Sequence, residues 1–157
     1  MENKTILLVE DNADDEALTF RALTKNNIGN QLVVVRDGAE ALEYLFGTEQ
    51  YSGRDINLAP QMVLLDLNLP KVSGLEVLRQ LRANERTKHL PVVILTSSNE
   101  EQDLLRGYDY GANSYVRKPV DFNQFIESVR QLGLYWLILN ECHRPGDSQW
   151  GFHFVCC

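Results

Sequence analysis

Five short apolar runs alternate with five stretches of helical periodicity, and that alternation leaves few folds open. The runs at 5–10, 31–36, 62–66, 91–96 and 114–117 have the length and composition of buried strands. Between them, Ala17, Leu18, Ala22 and Leu23 recur at helical spacing within 14–26, and Ala41, Leu42 and Leu45 within 37–46. Val77, Leu78 and Leu81 do the same within 75–83, and Leu104, Leu105 and Tyr108 within 100–110. A last helix begins near Asp121, with Phe122, Phe125, Ile126 and Val129 on one face. Asn99 and Asp121 suit helix N-caps, and Gly111 suits a helix stop. Short β–α–β spacings with right-handed crossovers predict an α/β fold, a parallel sheet covered by helices on both faces.

In such a sheet, ligands bind beyond the carboxyl ends of the strands. Four of the five runs deliver a reactive polar group there. The first ends in Glu10 and Asp11, the third in Asp66, the fourth in Thr96, and the fifth runs through Arg117 into Lys118 and Pro119. A carboxylate directly after a buried strand is costly to desolvate, so Asp66 needs a compensating partner. Glu10 and Asp11 brought close to Asp66 would repel it unless a cation sat among them, and all-oxygen donors of this kind favour Mg²⁺. The competing reading is that Glu10 and Asp11 only open the first helix, where acids meet the positive end of the dipole.

Asp66 can then act as a nucleophile toward phosphorus, with Lys118 and the metal neutralising phosphoryl oxygens and the Thr96 hydroxyl donating to one of them. Lys118 suits this role as a compact charge on a long stem, and Pro119 after it imposes an extended or turn geometry and is a candidate cis-proline. Asn68, two residues beyond Asp66, separates a store from a catalyst. Phosphatases that pass through an aspartyl phosphate commonly place a second aspartate there as general acid and base, whereas a neutral amide cannot take that role. A phosphorylated Asp66 is therefore expected to persist, which suits a signal.

Composition removes other classes. The chain of 157 residues holds 15 Lys and Arg against 22 Asp and Glu, a net charge of −7, which is the wrong sign for a nucleic-acid surface. No apolar stretch approaches the roughly 18 residues of a membrane span, and no basic-then-apolar leader opens the chain, so a cytoplasmic location is expected. The cysteines, Cys142, Cys156 and Cys157, all fall near the carboxyl terminus, leaving the globular part without a disulfide framework. A zinc site built from them with His143 and His153 would need adjacent ligand pairs, an unfavourable spacing. A flavin phosphate would want a Gly- or Ser/Thr-rich cradle where Glu10, Asp11 and Asn12 stand.

These residues resemble the receiver domain of two-component response regulators. The match rests on Glu10-Asp11, on Asp66 within Leu64-Leu65-Asp66-Leu67-Asn68-Leu69-Pro70, and on Gly74, Thr96, Tyr115 and Lys118-Pro119, and it covers about residues 4–132. The resemblance implies a flavodoxin-like, doubly wound, five-stranded parallel sheet of order 2-1-3-4-5. It implies that Asp66 accepts a phosphoryl group from a histidine kinase, with Mg²⁺ bound by Asp11, Asp66 and the backbone carbonyl of Asn68, and by Glu10 through water. It also implies that Thr96 and Tyr115 form a switch pair, and that the protein is a phosphoacceptor rather than an enzyme. A receiver fold working as a phosphate-independent scaffold is the alternative.

Two segments exceed a minimal receiver. The connection at 47–60, with Tyr44-Leu45-Phe46-Gly47 before it, resembles the small regulators that partner phytochrome kinases, as does Leu134-Tyr135-Trp136-Leu137. That narrower resemblance implies a stand-alone regulator, a phytochrome-type kinase partner and a homodimer. The stretch 132–139 is apolar almost all round, so either the tail folds over it or a partner covers it at an interface through Leu134, Tyr135, Trp136 and Leu137. The expected organisation is a receiver over 4–140 and a tail over 141–157, with no output domain and with output through protein contacts.

Overall fold

The structure, a computed structural model, describes residues 5–24, 31–96, 106, 109–118, 121, 123–125 and 127. The elements run β1 (Thr5–Val9), α1 (Ala13–Thr24), β2 (Gln31–Val35), α2 (Gly38–Phe46), β3 (Met62–Asp66), α3 (Gly74–Ala83), β4 (Val92–Thr96) and β5 (Ser114–Arg117), with one 3-10 turn at Glu49–Tyr51. The five strands form one sheet of order β2-β1-β3-β4-β5, and every pairing is parallel. This is the expected architecture.

The pleat sorts the central strands onto two faces, because successive side chains point to opposite sides. Leu7, Val9, Val63, Leu65, Val92 and Ile94 pack with Ala41, Leu45, Val77, Leu78 and Leu81 of α2 and α3. Ile6, Leu8, Met62, Leu64, Val93 and Leu95 pack with Leu23 of α1 and with Phe125. In β1 and β3, every apolar residue from Ile6 to Val9 and from Met62 to Leu65 is at most 1% exposed. Each such side chain is worth about 1.5–3 kcal/mol. The two strands can therefore carry the several-kcal/mol cost of burying an acid at each tip.

Local chemistry sets the helix starts. Asn12 Oδ1 accepts from the N–H groups of Asp14 and Asp15, opening α1. Asp37 Oδ1 accepts from Glu40 N at α2, and Ser73 Oγ accepts from Glu76 N at α3. Asp121 caps as expected, its Oδ1 accepting from Gln124 N and its carbonyl from Phe125 N. Gly111 adopts φ +95°, fitting the stop expected there.

The long connection after α2 is built rather than loose. Gly47 ends α2 in the left-handed region. Arg54 then folds back over the helix end, with Nε donating to the Tyr44 carbonyl at 2.7 Å and its guanidinium 4.1 Å above the Tyr44 ring. Tyr51 meets Tyr44 edge-on with ring centroids 5.2 Å apart, and its hydroxyl donates to Glu40 Oε1. At the next connection Arg82 acts as a hub. It donates to the carbonyls of Gly111, Thr87, Lys88 and Leu90 and to Asn113 Oδ1.

No helix among the described residues is long and apolar enough to cross a membrane. Asn99, most of the helix expected at 100–110, Pro119, Leu134, Tyr135, Trp136, Leu137 and the tail over 141–157 lie outside the described residues, as does the side chain of Thr96.

Candidate phosphoacceptor site

β1 and β3 are neighbours, so their last residues arrive together at one edge of the sheet. Glu10 follows β1 and continues its ladder, its N–H donating to the Val35 carbonyl. Asp66 closes β3. Glu10 is 0% and Asp66 4% exposed, whereas Asp11 is exposed.

The turn after Asp66 is held by its own backbone. Asn68 N–H donates to Asp66 Oδ1 at 3.1 Å, and Gly74 N–H donates to the Leu67 carbonyl. A Cβ on Gly74 would collide with the Asp66 carbonyl oxygen and with Leu67 Cα. Glycine there lets the start of α3 press directly on the residues that aim Asp66. The Asn68 side chain itself is exposed.

Lys118 crosses from the end of β5 to join these acids. Its ammonium lies 2.6 Å from Glu10 Oε2, 3.1 Å from Asp15 Oδ2 and 2.8 Å from Asp66 Oδ2, and its side chain is only 8% exposed. The Glu10 contact is an ion pair without hydrogen-bond geometry, since Oε2 has no hydrogen-bond partner. Burial pushes the Glu10 carboxyl up to about 7, with the Asp66 charge adding to the rise and Lys118 opposing it. Burial works to lower the Lys118 ammonium, but its hydrogen bond to Asp66 and its ion pair with Glu10 outweigh that and raise it, so it stays charged.

Glu10, Asp11 and Asp66 can each offer one carboxylate oxygen, and these oxygens lie within 4.8 Å of one another. Three hard oxygen donors at that separation fit a divalent cation of the Mg²⁺ or Mn²⁺ type. One ammonium among four acids leaves negative charge uncompensated, and a cation would relieve it. The expected grouping of Glu10, Asp11, Asp66 and Lys118 is therefore present as geometry.

Tyr115 is partly buried and packs against the α2–α3 face of the core. The strand register sets Ile94 opposite Tyr115 and Thr96 opposite Arg117, so the backbones of Thr96 and Tyr115 occupy adjacent strands at the site edge. Sequence reasoning missed Asp15. Its carboxylate sits in the acidic first turn of α1, where a negative charge has an ordinary explanation.

The fold has close counterparts among solved structures. The bacteriophytochrome response regulator AtBRR is 52% identical, aligns with a TM-score of 0.80, and is covered over 90% of this chain and 100% of that one. Response regulator Rcp1 from Synechocystis is 36% identical over 134 residues, 85% of this chain and 89% of Rcp1. Its Mn²⁺-bound crystal structure aligns with a TM-score of 0.70 at 34% identity, over 91% of this chain and 99% of that one. The phosphorylated cyanobacterial phytochrome response regulator RcpA aligns with a TM-score of 0.71 at 38% identity, over 86% of this chain and 94% of that one. Residues 6–130 match the response regulator receiver domain family. With its strand order, its acid trio and its lysine at one sheet edge, the chain belongs to the response regulator receiver domain family.

Proposed function

We propose that this receiver stores a signal as a phosphoryl group on Asp66, taken from the phosphohistidine of a histidine kinase. The observation that carries the reading is the Lys118 ammonium, 2.8 Å from Asp66 Oδ2 at the tip of a buried strand. In the transfer, Asp66 Oδ forms a bond to phosphorus as the bond from phosphorus to the donor nitrogen or acyl oxygen breaks, and the bonding pair leaves with the donor. Lys118 neutralises oxygens of the transferring group, and the Thr96 hydroxyl donates to one of them. Asp11, Asp66 and the backbone carbonyl of Asn68 would hold Mg²⁺, with Glu10 helping through water. Bound there, the cation would supply charge neutralisation for the transferring group.

The neutral amide of Asn68 cannot serve there as the general base that activates water against the aspartyl phosphate, so the phosphorylated state is expected to persist. Tyr115 turns with Thr96 to report it, adding a conformational consequence to the new charge of about −1.5 to −2. Similarity to the bacteriophytochrome response regulators supports a phytochrome-type histidine kinase as the donor and a homodimer, with Leu134, Tyr135, Trp136 and Leu137 at its interface. Output is by protein contact. The acidic balance supports neither nucleic acid nor membrane as partner.

Incubating the full chain with acetyl phosphate and Mg²⁺ adds one phosphoryl group per chain by intact mass, and Asp66→Asn takes none. Equal labelling of Asp66→Asn would overturn the assignment. A wild-type chain that binds its partner equally well with and without acetyl phosphate would favour the phosphate-independent scaffold.

A further inference from the structure

We propose that Asp15 is a positioning residue for Lys118, a carboxylate that holds the ammonium partly engaged with α1 and yields it when a phosphoryl group arrives on Asp66. The inference rests on the phosphoacceptor reading of Asp66.

Lys118 has three N–H donors and three carboxylates around them, from Glu10, Asp15 and Asp66. These three acids are not equivalent. Glu10 and Asp66 belong to the trio that can share a cation, while Asp15 stands outside it. Glu10 and Asp66 are also buried, whereas the Asp15 side chain is 33% exposed. New phosphoryl oxygens compete with these carboxylates for the Lys118 ammonium. Releasing Glu10 would strand a buried charge, and Asp66 carries the phosphoryl group itself, whereas water can solvate Asp15 at once. Asp15 also has the longest of the three contacts, at 3.1 Å. It is the bond that gives way.

Asp15 is itself held in place. Its N–H donates to the Asn12 cap, which fixes the first turn of α1 beside the lysine. Its negative charge therefore does two things: it competes for the ammonium, and it opposes an incoming phosphate dianion. Both effects slow loading of Asp66, and both disappear in Asp15→Asn. Asp15→Glu keeps the charge on a longer stem and preserves the competition.

The test compares full-length wild type, Asp15→Asn and Asp15→Glu with acetyl phosphate at saturating Mg²⁺, reading the rate of phosphoryl uptake at low and high salt. Asp15→Asn is expected to load about three- to tenfold faster at low salt, a gap that narrows as salt screens the charge. Asp15→Glu is expected to load at the wild-type rate. Equal rates for all three, or equal acceleration by Asn and Glu, overturn the proposal.

A second readout needs no phosphoryl group. The Lys118 ammonium protons, followed by ¹⁵N NMR, exchange with solvent about threefold faster or more in Asp15→Asn, because one strong acceptor has gone. Unchanged exchange overturns the positioning role even where loading differs. A wild type that takes up no phosphoryl group, with exchange still accelerated in Asp15→Asn, assigns the failure to the reading of Asp66 instead.

Discussion

Lys118 Nζ and Asp66 Oδ2 meet at 2.8 Å across a sequence separation of 52 residues, joining the tips of β3 and β5 with β4 lying between them in the sheet. This contact makes the acid edge of the sheet tenable, because among the described residues Lys118 is the cation that meets Glu10, Asp15 and Asp66 together. Lys118→Met keeps the length and apolar stem of the side chain while removing its charge. At neutral pH, without divalent cations, it should lower unfolding stability by about 3 kcal/mol, since buried acids lose their counter-charge. Urea denaturation measures the loss. Adding Mg²⁺ should return part of it, and chelation with EDTA should remove that gain. A variant as stable as wild type in EDTA would mean that the ammonium does not offset the buried acids.

Gly74 and Asp66 form a second dependence, between a helix start and the strand tip it presses on. Ala at Gly74 would need the Asp66–Leu67 backbone to shift, because its Cβ collides with backbone atoms that cannot rotate away. We expect Gly74→Ala to lose about 1–3 kcal/mol and to load phosphoryl groups more slowly even at temperatures where it is fully folded. Circular dichroism separates the two effects. Full activity in a destabilised variant would show that the turn tolerates the shift.

Arg82 joins α3 to the connections on either side of β4 through one guanidinium, bonding the carbonyls of Gly111, Thr87, Lys88 and Leu90. Removing it leaves several acceptors on partly buried backbone unpaired. Arg82→Ala should cost about 2–3 kcal/mol. Arg82→Lys should recover little of this, because an ammonium cannot reproduce the planar fork. Thermal denaturation of the pair decides the point: a lysine variant matching wild type would show that charge, not fork geometry, is what counts.

The strand tips were legible because an apolar run followed by an acid is a pattern within a few neighbouring residues. Asp66, Glu10 and Asp11 could be assigned to one edge once the alternation implied a parallel sheet, and the strand order that set β1 beside β3 came from the resemblance to receiver domains. Asp15 was not legible. Its ionic partner lies 103 residues away, and an acid in a helix's first turn has a sufficient local explanation. Arg82 was hidden for a related reason, since its partners are carbonyls in loops and carry no residue signature. The 47–60 connection could be recognised as elaborated, but not its lock. That depends on Gly47 in the left-handed region placing Arg54 over Tyr44, a geometry that composition does not encode.

Tyr51 supplies a pH signature for that lock. Its phenol is pushed up to about 12, chiefly by burial, with the hydrogen bond to Glu40 adding to the rise. The folded state therefore holds the phenolic proton more tightly than the unfolded chain, whose value is 10.0. The corresponding stability is fully present below pH 10 and is lost as the pH rises from there through about 12. Ultraviolet difference titration should find one tyrosine ionising well above the ordinary range, and Tyr51→Phe should remove that step. The same variant should flatten the alkaline fall in stability between these limits, at a cost of about 1 kcal/mol near neutrality for the lost hydrogen bond. If the late-titrating tyrosine persists in Tyr51→Phe, the phenol facing Glu40 is not the group protected by the loop.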